Sequence, residues 1–322
     1  MNKIFSANVK VHLRYAWHFC LTLFYTLVVK NCIRLTGKRD TRKLKHRISL
    51  CLIFKNEAPF LKEWIDFHRT IGIDHFYLYN NNSTDNYQEV LESYVNKGIV
   101  TLIDFPYNYA QMQAYEHCYE HFKGETNWIG FMDADEFICP RYQTDINEWL
   151  SKYDKYHSVL IYFHVFGTGG QLKHDYSKNV IEQYFSCWPT IQNCGKCFVN
   201  TRFSITNYNT VTLHHSTCTR YRLFGLPISL PPVNQFGYIC PFTYVFGGVN
   251  GKLEKADICL NHYFTKAWDI YKKKMESTYV CSEENPKTNI NYFYFHEDRS
   301  TARDYTIIRF AIRMRHLQNL VD

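Results

Sequence analysis

Two rhythms of apolar and polar residues alternate through the middle of this chain. Ile48 to Phe54, ISLCLIF, is a short unbroken apolar run and predicts a buried strand. Asn56 to Ile71 then carries Phe60, Leu61, Trp64, Ile65, Phe67 and Ile71, the stripe of an amphipathic helix. His75 to Tyr79 is aromatic-rich and predicts a second strand. The polar cluster Asn80 to Asn86 predicts a turn, with Ser83, Thr84 or Asp85 available to cap a helix through Tyr87, Val90, Leu91, Tyr94 and Val95 that stops at Gly98. Ile99 to Ile103 predicts the next strand. Tyr109, Met112, Tyr115, Tyr119 and Phe122 mark another helix, and Trp128 to Met132 another strand. Strands alternating with helices at these intervals predict an α/β fold, a Rossmann-like, mainly parallel sheet flanked by helices on both faces.

After Pro140 the rhythm changes. Ser158 to Val165 predicts a strand, and Phe166 to Asn250 offers short β-like pieces, glycine turns and a proline-rich loop at Leu226 to Pro232. Tyr263 to Tyr279 and Asp304 to Leu320 read as helical. In the last, Ile307, Ile308, Ala311, Ile312 and Met314 oppose Arg303, Arg309, Arg313 and Arg315, a pattern that suits either a membrane surface or the protein's own core. The predicted organisation is a leader over 1–47, a central domain over 48–270 divided at 140, and a helical extension over 271–322.

Composition sharpens this. Hydrophobic residues make up 46% and aromatics 17% of 322 residues, which excludes a disordered chain. The net charge is +7, yet eleven Lys and Arg stand against Asp40 alone through Arg47, so the remainder is slightly acidic. Nucleic-acid binding would want the basic face on the folded body, and no nucleic acid is expected. A basic segment beside the apolar run Tyr15 to Val29 suits an anionic membrane surface instead. That run is short for a transmembrane helix. It predicts an in-plane membrane helix first, a single-pass anchor second, and a helix packed on the body third. Twelve scattered cysteines do not make a disulfide scaffold, and Cys194 with Cys197 lacks the second pair a zinc site would need. Asn81 and Asn82 lie in N-x-[ST] sequons within a predicted ligand loop, which disfavours a secretory lumen and leaves a catalytic domain facing the cytoplasm.

The chemistry concentrates where Trp128 to Met132 ends in Asp133, Ala134, Asp135 and Glu136. Clustered carboxylates at a strand end need a cation or water among them. Residues spaced i and i+2 in extended backbone point one way, so Asp133 and Asp135 predict a site for Mn²⁺ or Mg²⁺ at the sheet's carboxyl edge, the place where open α/β folds bind ligands. Such an ion neutralises the diphosphate that leaves when a sugar is transferred from a nucleotide. His262 is a suitable third metal ligand, and Lys266, on the same face if helical, a phosphate ligand. Lys55, Asn56 and Glu57, and Asn80, Asn81 and Asp85 in the early turns, are candidates for holding a base, ribose or phosphate. With Asp133 they make up the expected nucleotide-sugar set.

With these motifs in view, the chain resembles glycosyltransferase family 92 over about Ser49 to Lys274. The resemblance rests on KNEAPFLKEWIDFH (Lys55 to His68), YLYNNNSTDN (Tyr77 to Asn86), FMDADEF (Phe131 to Phe137), FGTGG (Phe166 to Gly170), GKCFVN (Gly195 to Asn200), His214 with His215, and HYFTKAW (His262 to Trp268). It implies a GT-A-type fold and an inverting enzyme that uses a UDP-sugar, often UDP-galactose, and Mn²⁺. Asp133 and Asp135 would match the metal motif and His262 the late metal ligand. Asn81 stands where related enzymes often carry an Asp for the base. Inversion also needs a general base for the acceptor hydroxyl. Glu136, Asp175, Glu182, His214 and His215 are the candidates, Glu136 preferred. The expected activity is hexose transfer to a glycan or lipid-linked acceptor in assembly of a surface polysaccharide. The rivals are a metal-dependent phosphoryl or nucleotidyl transferase and a non-catalytic glycan-binding membrane protein.

Overall fold

The computed structural model describes residues 13, 16–17, 19–31, 42–192, 194–203, 205–208, 217–223, 226–240, 253–276 and 286–321. Its first part follows the predicted alternation. The chain runs β1 (His46–Phe54), α1 (Ala58–Thr70), β2 (His75–Asn80), α2 (Tyr87–Asn96), β3 (Val100–Asp104), α3 (Gln111–Phe122) and β4 (Thr126–Phe131). It continues through β5 (Glu136–Pro140), α4 (Ile146–Ser151), β6 (Ser158–Val165), β7 (Gly195–Asn200), β8 (Val233–Asn234) and β9 (Ile258–His262). Three helices close it, α5 (Trp268–Glu276), α6 (Ile290–Glu297) and α7 (Ala311–Val321).

The sheet is mixed: most of its strand pairs are parallel, as expected, but antiparallel segments set it apart from a simple Rossmann-like sheet. Its order is β3-β2-β1-β4-β7-β6-β9-β5, with β8 beside β6. The pairs β3–β2, β2–β1 and β1–β4 are parallel. From β4 onward β7 runs antiparallel to both β4 and β6, and β5 runs antiparallel to β9. No helix crosses over between β4 and β5, only a turn. The chain therefore enters the second half of the sheet by reversing, whereas a parallel neighbour needs a long crossover.

Period-two alternation of side chains along β1, buried from Ile48 to Phe54, explains the layers. Ile48, Leu50, Leu52 and Phe54 pack with Phe60, Leu61, Trp64 and Phe67 of α1 on one face. Cys51 and Ile53 pack with Ala114, Tyr115 and Cys118 of α3 on the other. Gly195 is fixed by close approach, since a Cβ there would lie 1.8 Å from the Ile161 carbonyl oxygen of β6. The carboxyl-terminal basic pattern packs on the core: Ile307, Phe310 and Met314 are buried, and Phe310 meets Phe67 of α1 with ring centroids 5.9 Å apart.

Two local readings change. Leu226–Leu230 is not a loop but a strand antiparallel to Thr217–Leu223. It is the edge of its small sheet, where the N–H that Pro227 lacks is least missed. The helix expected from Tyr263 begins only at Trp268, because Lys266 turns left-handed at φ 50°. The helix over Ile290–Glu297, INYFYFHE, is apolar nearly all round, so it has no stripe to reveal it.

Candidate functional site

Strands β2 and β3 lie on one side of β1 and β4 on the other, so the strand order reverses between β1 and β4. Open α/β sheets bind ligands at the carboxyl ends of strands at such a point. Here a cleft of about 490 Å³ opens there. Phe54, Lys55, Asn56 and Glu57 leaving β1 form one wall, and Gln111, Asp133 and Asp135 another. Lys273, Lys274 and Lys287 enter from the carboxyl-terminal part, with Phe60 and Tyr176 as aromatic walls.

The early turns are braced against each other. The Asn56 N–H donates to Ser83 Oγ at 3.0 Å, and Asn56 Oδ1 accepts from the Thr84 N–H at 2.7 Å. This cross-bonding holds Asn56 in a left-handed conformation, φ 55°, at the cleft wall. Asp85 does not cap α2; its Oδ2 accepts the Ala58 N–H at the start of α1, at 2.8 Å. Asn81 is buried, its amide donating to the carbonyls of Phe105 and Tyr107 at 2.8 Å each. Asn80 donates to Tyr87 Oη and Asp104 Oδ1, both at 3.0 Å. Lys55, Asn56 and Glu57 thus line the cleft, while Asn80, Asn81 and Asp85 hold the turns behind it.

Asp133 and Asp135 sit on a turn between β4 and β5, closed by the Glu136 N–H donating to the Asp133 carbonyl at 3.0 Å. The backbone is not extended there, so the two carboxylates part company, against the expectation that they point one way. Asp133 Oδ1 accepts from Gln111 Nε2 at 2.9 Å and Tyr115 Oη at 3.1 Å, and Oδ2 meets Lys196 Nζ at 3.1 Å. Asp135 Oδ2 meets Lys274 Nζ at 2.5 Å, and its Oδ1 lies 3.5 Å from His262 Nε2. Burial alone would raise the Asp135 pKa; Lys274 and His262 outweigh it and hold the carboxyl well below the usual range. The register explains the meeting with His262, since β9 pairs His262 with Glu136, the residue after Asp135.

The base candidates are distributed differently. Glu136 is fully buried, and its Oε2 accepts the Asp133 N–H at 2.9 Å while Oε1 lies 3.6 Å from Lys196 Nζ. Burial and the neighbouring Asp133 push its pKa well up. Asp175 is bonded to its own turn: the Ser177 hydroxyl and N–H, with Lys178, bring it down to about 2. Glu182 receives Arg315 and the Asn179 amide. His214 and His215 lie outside the described residues.

Lys266 is not one helical turn from His262, because His262 ends a strand. The residue is 1% exposed, its ammonium lies 3.9 Å from the centroid of the Phe60 ring, and among the described residues it makes no hydrogen bond. Burial, with Lys274 nearby, brings it down to about 8. The sequence pattern assigns no role to Gln111, Tyr115, Lys196 or Lys274. Only Lys196 had a signal, as the one charge in the buried strand Gly195–Asn200. Lys274 is one of three consecutive lysines, and nothing in the sequence singles it out.

Among the described residues, no three His, Cys, Asp or Glu side chains converge as a metal site. Asp135 and His262 nevertheless offer an oxygen and an imidazole nitrogen to one place beside the cleft. That donor set suits Mn²⁺ or Mg²⁺, which take few protein ligands and complete their shell with substrate phosphates and water.

The sequence profile of glycosyltransferase family 92 matches residues 46–311. A family 92 protein of Ricinus communis is 27% identical over 249 residues, 74% of this chain and 40% of its own length. Another, of Oryza sativa subsp. japonica, is 26% identical over 254 residues, 76% of this chain and 38% of its own. The chain thus spans about two fifths of the length of these curated relatives. Among solved structures, S. aureus TarS 1–349 aligns with a TM-score of 0.34 and 13% identity, over 48% of this chain and 47% of that one. So slight a likeness carries no argument here.

Proposed function

The chain belongs to glycosyltransferase family 92, and we propose that it transfers a hexose, with inversion, from a UDP-sugar to a glycan or lipid-linked acceptor. In this reading the fold is of GT-A type and the protein works at a membrane surface. One observation carries it: a cleft at the reversal of strand order is lined by Asp133 and Asp135 and by three lysines from the carboxyl-terminal part. Carboxylates for a cation and sugar hydroxyls, facing ammonium groups for phosphates, are what a nucleotide diphosphate-sugar requires.

The residues divide the work. Lys274 and Lys266 bind diphosphate oxygens, and the ammonium of Lys266 gains a hydrogen-bond acceptor that no described residue supplies. Lys55, Asn56 and Glu57 hold the nucleoside against β1. Asp133, fixed by Gln111, Tyr115 and Lys196, accepts a ribose or sugar hydroxyl. Asp135 and His262 would hold Mn²⁺ or Mg²⁺, which when bound offsets charge on the leaving diphosphate. Glu136 is a positioning residue for the turn, Asp175 and Glu182 are engaged elsewhere, and the acceptor's general base falls to His214 or His215.

A screen of UDP-sugar hydrolysis with Mn²⁺ tests this. Wild type should hydrolyse at least one UDP-sugar, and Asp135→Asn should lower the rate about a hundred-fold while the circular dichroism spectrum stays unchanged. Cleavage of nucleoside triphosphates with no action on UDP-sugars would favour phosphoryl transfer instead. Calorimetry giving equal UDP affinity with and without Mn²⁺ would remove the cation from the scheme.

A further inference from the structure

The helix at the amino end leaves large apolar residues exposed. Leu13, Trp17, Phe24, Leu27 and Val28 are exposed by 64%, 64%, 55%, 63% and 46%. Phe19 and Cys20 are exposed as well, and Tyr25–Val29 is a π-helical turn. The side toward the body is mixed, with Leu21, Leu23 and Tyr25 half-buried, and its ties to the body are polar. Thr22 is buried, Thr26 Oγ1 accepts the Ile239 N–H at 3.1 Å, and Lys30 Nζ donates to the Gly237 carbonyl at 2.9 Å. Gly237 adopts the left-handed φ of 80° that glycine favours.

A helix packed for its own sake turns its apolar residues inward; this one leaves several large ones exposed. An exposed apolar patch of this kind marks a contact surface, and the charge of the segment points to its cover. Through Arg47 the chain carries eleven Lys and Arg against one acid. Among the described residues no helix is long and apolar enough to cross a membrane. The last turns are also tied to the Gly237 loop, which keeps the helix flat against the body.

We propose that this helix lies in the plane of an anionic membrane, with Trp17, Phe24, Leu27 and Val28 among the acyl chains and its other side bonded to the 237–239 loop. This rests on the membrane part of the reading above and adds the face, the depth and the loop through which the body is held. In-plane helices of this kind bury their apolar side at the headgroup boundary, and nearby Lys and Arg add attraction for acidic lipids.

Flotation with phosphatidylcholine vesicles, with and without phosphatidylglycerol, tests it on the full chain. Wild type should float with the anionic vesicles, less so in high salt. The double substitution Phe24→Glu, Leu27→Glu should weaken flotation about ten-fold or more, with UDP-sugar hydrolysis unchanged. If the double variant floats as well as wild type, this inference falls while membrane association stands. If wild type does not float, both fall, and a dimer that the substitutions split would identify a second copy as the cover. Hydrolysis, measured separately, keeps the enzymatic reading independent of either result.

Discussion

At the scale of single residues, most candidate side chains are distinguished by their partners rather than by their type. His68 shows how sharply a partner set fixes a state. It is fully buried in α1, its Nδ1–H donating to the Trp64 carbonyl at 2.8 Å and its Nε2 accepting the Ile138 N–H at 3.2 Å. A second ring proton would meet that N–H head on. Burial therefore brings His68 down to about 3, although the Trp64 carbonyl opposes the shift. Between the ordinary value of 6.5 and about 3 the unfolded chain binds more protons than the folded one. Stability from this group is complete above 6.5 and falls as pH drops through that window. From pH 7 to about pH 4.5 the loss should be about 3 kcal/mol. Urea midpoints at the two pH values, wild type against His68→Leu, check it; an equally steep acid limb in the variant would assign the effect to other groups.

At the scale of elements, close backbone approach matters as much as side-chain packing. Strand β7 carries the GKCFVN motif and lies antiparallel between β4 and β6. Its first residue, Gly195, has no room for a Cβ against the Ile161 carbonyl, and no rotamer change can move a backbone oxygen. Gly195→Ala should cost about 3 kcal/mol and lower the thermal midpoint accordingly. A variant as stable as wild type would mean that β6 and β7 are further apart than described. The turn between β4 and β5 makes a related point. Its curvature sends Asp133 toward β7 and Asp135 toward α5, so one short motif serves two neighbours.

At the scale of the whole molecule, the parallel half ending at β4 and the mixed half are joined electrostatically beneath the cleft. Lys196 from β7 is 1% exposed and meets both Asp133 and Glu136 from the β4–β5 turn. Removing it takes from Asp133 the ammonium that its Oδ2 meets at 3.1 Å. Leaving such a group short of a partner typically costs about 1–3 kcal/mol, and Lys196→Met should fall in that range. The same variant should weaken UDP binding, because the turn that carries Asp133 and Asp135 loses its support. Denaturant unfolding and calorimetry check the two parts; full stability would mean that the two halves hold together without this contact.

Apolar patterning was enough to determine β1 to β4 with the helices between them, because the strands read as short apolar or aromatic runs and each helix buries one striped face. The acidic strand end was legible for the same reason: carboxylates that follow a buried run demand partners. Which partners they take was decided in three dimensions. Asp135 meets His262 through the register of β9 on β5, and Lys274 arrives on a helix well over a hundred residues away. The antiparallel pairings of the mixed second half were equally hidden, since a strand's direction leaves no mark on its period. A local pattern records what each residue must bury. Contacts between distant segments depend on how the sheet closes, and only the folded chain holds that information.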